Sequence, residues 1–584
     1  MTGPFWLWIS IAWPLFGGLA QWILPACDRR LNLFFRTATL PAVIAVVLCP
    51  IDIPTSAPFL MLGMTLHLTE VARLFLLFTS LLWMLAGWYA VPYFVGDKRR
   101  HSFGGFYFLS YTGNLGVLIV ADIPSFYLFF ALMTFAAYGL VLHYRTPAAI
   151  YAGRVYVVMA ILGEVLIFSA LLLMSVNSGS LLIREAVAAV PGSVLDPWVI
   201  GFVIFGFGVK VGILPMHVWL PLAHPVAPVP AHAVLSGSML KAGLMGWILF
   251  LPGGQSAYPA WGALMMILGC FGAFYAVILG CTQSNPKTNL AYSSVSQMAV
   301  MTIAIGIGLS NAADWTTATW IVGIYALNHA FAKGALFMGI GVVLSEPTSP
   351  RFHRYIIVGG LMLAALSIAG SPMTGGALAK RALKYLSEGQ HVVMTETLTI
   401  LLTLSAFATT LLLARLIYLL YQKMIDPNRT PDNQQGLMLP WSIALLAVSG
   451  MVWFTILYLH LPVSTAPFTP SDLLKSSLPI LAGLVVARLA YQLLRAPKQP
   501  VPAGDILLPV AWVSRQLIAA WIRFVANPIE QKDISADSLV RRILPKPSGQ
   551  RDRVLEADAR IRHFEVSGAF LVVLLVIIML TLAM

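Results

Sequence analysis

The sequence predicts an all-α polytopic membrane protein of about sixteen transmembrane helices, and three features predict it. Of its 584 residues, 59% are hydrophobic and only 10% charged, with a mean hydropathy of +0.83, far outside the balance of a soluble domain. Apolar stretches of roughly 20 residues, the length needed to cross a hydrocarbon core, recur along the whole chain. Two of these stretches are broken by glycine and proline beside a lysine. A bilayer tolerates such breaks only where the freed backbone is buried in protein or lines a watery cavity.

The spans are centred near residues 14, 45, 84, 112, 134, 165, 205, 242, 269, 299, 330, 370, 407, 450, 484 and 576. The N-terminal MTGPFWLWISIAWPLFGGLAQWILP has no basic leader and no small-residue cleavage site, so it reads as the first span and not as a signal peptide. The net charge of +13 comes from basic residues gathered in alternate loops: Arg29, Arg30 and Arg36; Lys98, Arg99 and Arg100; Arg145 and Arg154; then Lys287, Arg351 with Arg354, Lys423 with Arg429, and Arg495 with Lys498. This is a topology signal, not a nucleic-acid footprint. By the positive-inside rule both termini lie on the outer or periplasmic side of a bacterial plasma (inner) membrane, which an even number of spans allows. Cys27, Cys49, Cys270 and Cys281 show no metal-ligand spacing, so no cofactor or metal is expected.

From Gly504 onward the pattern changes. Trp512, Leu517, Ala520, Trp521 and Phe524 recur at helical spacing opposite Arg515 and Arg523, predicting an amphipathic helix along the membrane interface. A stretch with eight Lys/Arg and seven Asp/Glu between Glu530 and Glu565 follows, and Ser567–Met584 is apolar enough to form a terminal anchor. The alternative is a surface loop joining two spans. The expected division is 1–103 for N-terminal spans, 104–252 for a first inverted repeat, 253–421 for a second, 422–503 for C-terminal spans, and 504–584 for the lateral segment and anchor.

The chemistry-bearing residues are basic groups in apolar helices. Lys210 ends the run IGFVIFGFGVK just before Gly212 and Pro215, and Lys380 follows the break at Gly370, Pro372, Gly375 and Gly376. Two interrupted segments in corresponding places point to an inverted repeat with its site at mid-membrane. Lys241 lies among Ser236, Ser238 and small residues, and His329 and Lys333 are four apart on one helix face. Burial disfavours the charged form of an amine, and an imidazole titrates near neutrality, so such a row can pass protons. Intramembrane ionisable residues are functional candidates by default. The competing reading is that a lysine near a span end snorkels to the headgroups, which applies to Lys333 and to Lys210 taken alone. His217, His224 and His232, in a proline-rich loop, suit packing or interfacial roles. Glu164 is the one carboxylate deep in an apolar span of the first half.

LPMHVWLPLAHPVAPVPAHAVLSGSMLKAG, CTQSNPKTNLAYSSVSQMAVM, NHAFAKGALFMGIGVV and SIAGSPMTGGALAKRALK resemble the signature segments of the antiporter-like, proton-translocating membrane subunits of respiratory complex I. The same family includes subunits of Mrp antiporters, of membrane-bound hydrogenases such as formate hydrogenlyase, and of inorganic-carbon uptake systems. The resemblance covers roughly residues 70 to 420 and implies proton-transfer roles for Lys210, Lys241, His329 and Lys380. The family's fifth-span glutamate, which tunes the first lysine, falls on Ala131 here, and its acidic residue after W-L-P falls on Leu222. The expected function is proton translocation within a multi-subunit membrane complex of other subunits and lipid. H⁺ is the expected ion, with Na⁺ possible. The chain has no catalytic centre of its own and would couple to a redox or other partner module. The alternatives are an inorganic-carbon (CO₂/bicarbonate) uptake partner, an Mrp-type Na⁺/H⁺ antiporter subunit, or a largely structural subunit with one inactive half-channel.

Overall fold

The computed structural model describes residues 3–345, 351–388, 395–426, 435–459, 469–490, 501–504, 506 and 516. The chain divides into two compact units. One comprises Met1–Pro58 with Leu62–Ala503; the other comprises Phe59–Met61 with Gly504–Met584 and lies almost wholly outside the described residues. The lateral helix, the terminal anchor and the span centred near residue 576 therefore fall outside the description.

The helices before the first break are α1 (Gly3–Ile23), α2 (Asp28–Thr37), α3 (Leu40–Leu48), α4 (Glu70–Tyr93), α5 (Arg100–Ile119), α6 (Ile123–Val141), α7 (Pro147–Ser178), α8 (Ile183–Ala188) and α9 (Asp196–Val211). After it come α10 (Trp219–Val226), α11 (Val229–Val234), α12 (Leu240–Phe250), α13 (Pro259–Thr282), α14 (Pro286–Ser310), α15 (Trp315–Ser345) and α16 (Arg351–Ala369). The second break precedes α17 (Gly375–Glu388), followed by α18 (Thr395–Ile425), α19 (Met438–Leu459) and α20 (Pro470–Leu489). A short antiparallel hairpin, β1 (Thr55–Ala57) and β2 (Met64–Leu66), lies between α3 and α4.

Among the described residues, eleven helices, counting α2–α3, α9–α10 and α11–α12 as single spans, are long and apolar enough to cross a membrane. The expected centres near 14, 112, 450 and 484 also fall in helices, α1, α5, α19 and α20. The chain is an integral multi-pass membrane protein.

Local sequence sets the helix starts. Thr69, Asp122, Thr146, Asn285 and Thr469 each stand at an N-cap and accept a backbone N–H from the first turn, and proline follows at the start of α6, α7, α14 and α20. Asp122 does more: Oδ1 accepts from Ser125 N at 2.9 Å, and Oδ2 accepts from Thr65 N at 2.8 Å, tying the hairpin to the start of α6. Burial then sorts the helices. The best spanning window of α14 is 100% buried and that of α15 is 94%, whereas that of α7 is 39% and shows Val158, Ile161, Leu162, Val165 and Phe168 outward. The inner helices carry the polar residues and the outer ones turn apolar faces outward, as a bilayer solvent requires.

Candidate proton pathway

Both expected breaks are present. α9 ends at Gly212, whose φ is 78°, and α16 ends at Gly370, whose φ is 89°. This left-handed backbone suits glycine because it has no Cβ to clash. The first break also contains the cis peptide Leu214–Pro215. The second contains Pro372, ahead of Gly375 and Gly376 at the start of α17.

In the first half, Lys210 is 7% exposed at the end of α9. Its Nζ donates to Thr134 Oγ1 at 3.4 Å and sits 5.8 Å from the Phe130 ring centre and 5.9 Å from that of Tyr156, within range of cation–π attraction. The same cavity of about 20 Å³, room for roughly one water, is also lined by Glu164. Neither carboxylate oxygen of Glu164 has a hydrogen-bond partner among the described residues, and the carboxyl and the Lys210 amine line the same cavity. Close packing of α7 on α9 makes this possible. A Cβ on Gly163 would meet the Gly206 carbonyl at 3.1 Å, and one on Gly206 would meet Ile167 Cγ1 at 2.8 Å. Ala131, where the resemblance places an acid, follows Phe130 on α6; the carboxylate that lines the lysine's cavity comes from α7.

At the centre, Lys241 Nζ lies 2.6 Å from His329 Nδ1 and donates to the Ser236 carbonyl at 2.5 Å. That carbonyl lies in a π-helical turn, Leu235–Met239, between α11 and α12. Such a turn widens the backbone hydrogen-bonding pattern and marks functional sites often. Ser236 Oγ lies 2.7 Å from Ser294 Oγ. His329 Nε2 is buried without a hydrogen-bond partner among the described residues. Four residues on, Lys333 is 0% exposed and donates to the Leu290 carbonyl at 2.8 Å, so it does not snorkel. His224 and His232 are both buried with Nδ1 atoms 3.4 Å apart, and both stack on Phe337. His217 packs near Tyr275 and Tyr292.

In the second half, Lys380 Nζ donates to the Ala369 carbonyl at 2.8 Å, a backbone acceptor at the helix break. Ser367 Oγ beside it donates to Asn328 Oδ1 at 2.7 Å. Lys380 opens on a wider cavity of about 130 Å³.

The sequence does not single out several of these partners: Thr134, Ser294 as the partner of Ser236, and the carbonyls of Leu290 and Ala369. Polar residues inside apolar helices are a weak signal for the hydroxyls. Nothing in a sequence singles out a carbonyl.

Residues 121–407 match the family described as NADH:quinone oxidoreductase/Mrp antiporter, TM, a segment that holds all five basic residues of the row. This segment belongs to the antiporter-like membrane family. The chain is 32% identical over 301 residues to hydrogenase-4 component B of Escherichia coli (strain K12), a match covering 50% of this chain and 44% of the relative. It is 26% identical over 414 residues to Na(+)/H(+) antiporter subunit A1 of Staphylococcus aureus, covering 64% and 51%. With NADH-quinone oxidoreductase subunit N of Desulforudis audaxviator (strain MP104C) the figures are 27% over 308 residues, covering 50% and 60%. The chain thus spans about half the length of the curated relatives it matches.

Two solved structures share the fold. The Mrp complex from Dietzia sp. DQ12-45-1b aligns with a TM-score of 0.74 at 19% identity, over 93% of this chain and 62% of that one. The membrane-bound sulfane sulfur reductase, an archaeal respiratory membrane complex, aligns with a TM-score of 0.65 at 17% identity, over 83% and 99%. The names of these relatives describe components or subunits of larger assemblies.

Proposed function

We propose that the chain is a proton-translocating subunit of a multi-subunit membrane complex, passing H⁺ along Lys210, Lys241, His329, Lys333 and Lys380 in a bacterial inner membrane. The observation that carries this reading is the 2.6 Å approach of Lys241 Nζ to His329 Nδ1, between residues 88 apart in sequence. An amine and an imidazole at that distance can share one proton. An imidazole bonded at Nδ1 with Nε2 free can take a proton on one ring nitrogen and release it from the other. Glu164 supports the reading for the first half, because a carboxylate across the cavity from Lys210 supplies the charge partner that Ala131 lacks. The lysine row favours H⁺ over Na⁺, since a metal cation of that kind wants oxygen ligands.

The chain has no expected catalytic centre, so translocation is coupled to a partner module, of the redox kind or another. The complex purified in mild detergent identifies that partner: hydrogenase or quinone-module subunits, small antiporter subunits, or a large zinc protein of inorganic-carbon uptake. Once reconstituted into vesicles, the complex carrying His329→Ala should lose coupled proton movement while keeping its subunit composition. Proton movement at the wild-type rate in that variant would sink the reading.

A further inference from the structure

The cavity beside Lys380 carries more charge than proton transfer needs. It is lined by Lys380, Arg381 and Lys384 from α17, by Thr403 from α18, and by Asp472, Lys475 and Ser476 from α20. Four cationic side chains thus face one carboxylate. Asp472 is already engaged: it caps α20, accepts from Thr469 Oγ1 at 2.8 Å, and pairs with Arg381 Nη2 at 3.4 Å. Lys475 also lies in its field. Lys384 and Lys475 form no ion pair among the described residues. Glu388, one turn beyond Lys384, and Glu396, at the start of α18, are the nearest further acids in sequence, and neither lines the cavity.

Position narrows the kind of anion. Lys384 is one turn from the α17 end at Glu388 and Lys475 is in the second turn of α20, each about 6–8 Å along the axis from a helix end. Side chains at that depth reach headgroup level. The same helices turn apolar side chains outward: Tyr385 on α17, Ile400 and Leu404 on α18, and Leu474 and Leu478 on α20 are all exposed. A net-positive cavity at headgroup depth, flanked by exposed apolar faces, matches a molecule with a phosphate head and hydrocarbon tails. Arg and Lys side chains make charge-assisted hydrogen bonds to phosphate oxygens, among the stronger ones a protein offers.

We propose that the cavity framed by Lys380, Arg381, Lys384 and Lys475 is a binding site for the phosphate headgroup of an acidic phospholipid, whose acyl chains lie against the exposed faces of α17, α18 and α20. The site shares Lys380 with the proton-transfer reading but does not rest on that reading, because its test measures lipid binding and not transport.

The full chain, in the complex from which it is purified, is delipidated in mild detergent and then titrated with phosphatidylglycerol, with phosphatidylcholine, or with inorganic phosphate. Retained lipid is read by native mass spectrometry and the unfolding midpoint by heating. Phosphatidylglycerol should be retained and should raise the midpoint, phosphatidylcholine should do neither, and inorganic phosphate should act only at much higher concentration. The substitutions K384Q and K475Q together should weaken phosphatidylglycerol binding by about tenfold or more. K475Q alone, at an exposed position that folding tolerates, should give part of that loss. R29Q with K98Q removes the same charge outside the cavity and should leave binding unchanged. Equal retention of the two lipids, or wild-type retention in the K384Q/K475Q protein, would overturn the site. Inorganic phosphate acting as strongly as phosphatidylglycerol would overturn its assignment to a lipid, and so would a cross-link from Lys475 to a carboxylate of a co-purified subunit that excludes phosphatidylglycerol.

Discussion

The two broken helices place their lysines in opposite surroundings. Lys210 sits in a cavity with room for about one water, between two aromatic rings, where α6 supplies the Thr134 hydroxyl and α7 supplies Glu164. Lys380 leans on a backbone carbonyl and faces a cavity of about 130 Å³ in which three further cations surround one carboxylate. The difference teaches that one fold can hold a buried amine in two ways: by setting a carboxylate across a narrow cavity from it, or by resting it on a backbone dipole at the edge of a wide one.

The largest expected effect lies at the wider cavity. Lys380→Ala in the reconstituted complex should abolish coupled proton movement, and unchanged pumping would remove Lys380 from the pathway. Next comes the narrow one. Glu164→Gln leaves Lys210 without its charge partner and should slow proton movement by about tenfold or more. Adding Ala131→Glu to that variant should restore part of the rate, because it returns an acid to the neighbouring helix; a rate that stays low would show that position matters as well as charge.

A smaller effect concerns the frame that both halves share. Trp83 Nε1 donates to Asn114 Oδ1 at 3.1 Å and Ser238 Oγ at 2.7 Å, joining α4, α5 and the π-helical turn. Trp83→Phe removes this donor and part of a fully buried ring, while Ser238 Oγ still donates to Asn114 Oδ1, and should lower stability by about 1–3 kcal/mol, read as a lower unfolding midpoint in detergent.

The smallest effect lies outside the spans. Asp97, in the loop before α5, accepts from the His143 ring at 2.9 Å, and this bond, helped by Arg99, holds its carboxyl below the usual carboxylate range. A lowered folded-state value means stability that is present above the unfolded value and lost as pH falls through the folded one. The unfolding midpoints of wild type and Asp97→Asn should therefore differ most near neutral pH, draw together below about pH 4 and converge only once pH falls past the lowered folded value. A difference that persists in acid would assign the effect to packing.

Much of this was legible in the sequence. Hydropathy and span length indicated the membrane class, and each expected centre from 14 to 484 falls in a helix or, near 370, at a break. Lys210 and Lys380 were legible because charge beside glycine and proline is conspicuous in an apolar run. Lys333 was not: its position allowed snorkelling, and only its contact with the Leu290 carbonyl shows it fully enclosed. The gap at Ala131 was visible in the sequence, whereas the place of Glu164 across the cavity depends on how closely α7 packs on α9 at Gly163 and Gly206.

By itself, the sequence determined that the chain enters a membrane, where its helices break, and which basic residues the apolar spans carry, because these follow from composition and periodicity within a single segment. Only the tertiary structure decided which groups meet. Lys210 with Thr134, 76 residues apart, and Lys241 with His329, 88 apart, are brought together by helix packing. Periodicity says which face of a helix a residue lies on, but the neighbour across that face is set by the chain's long-range packing.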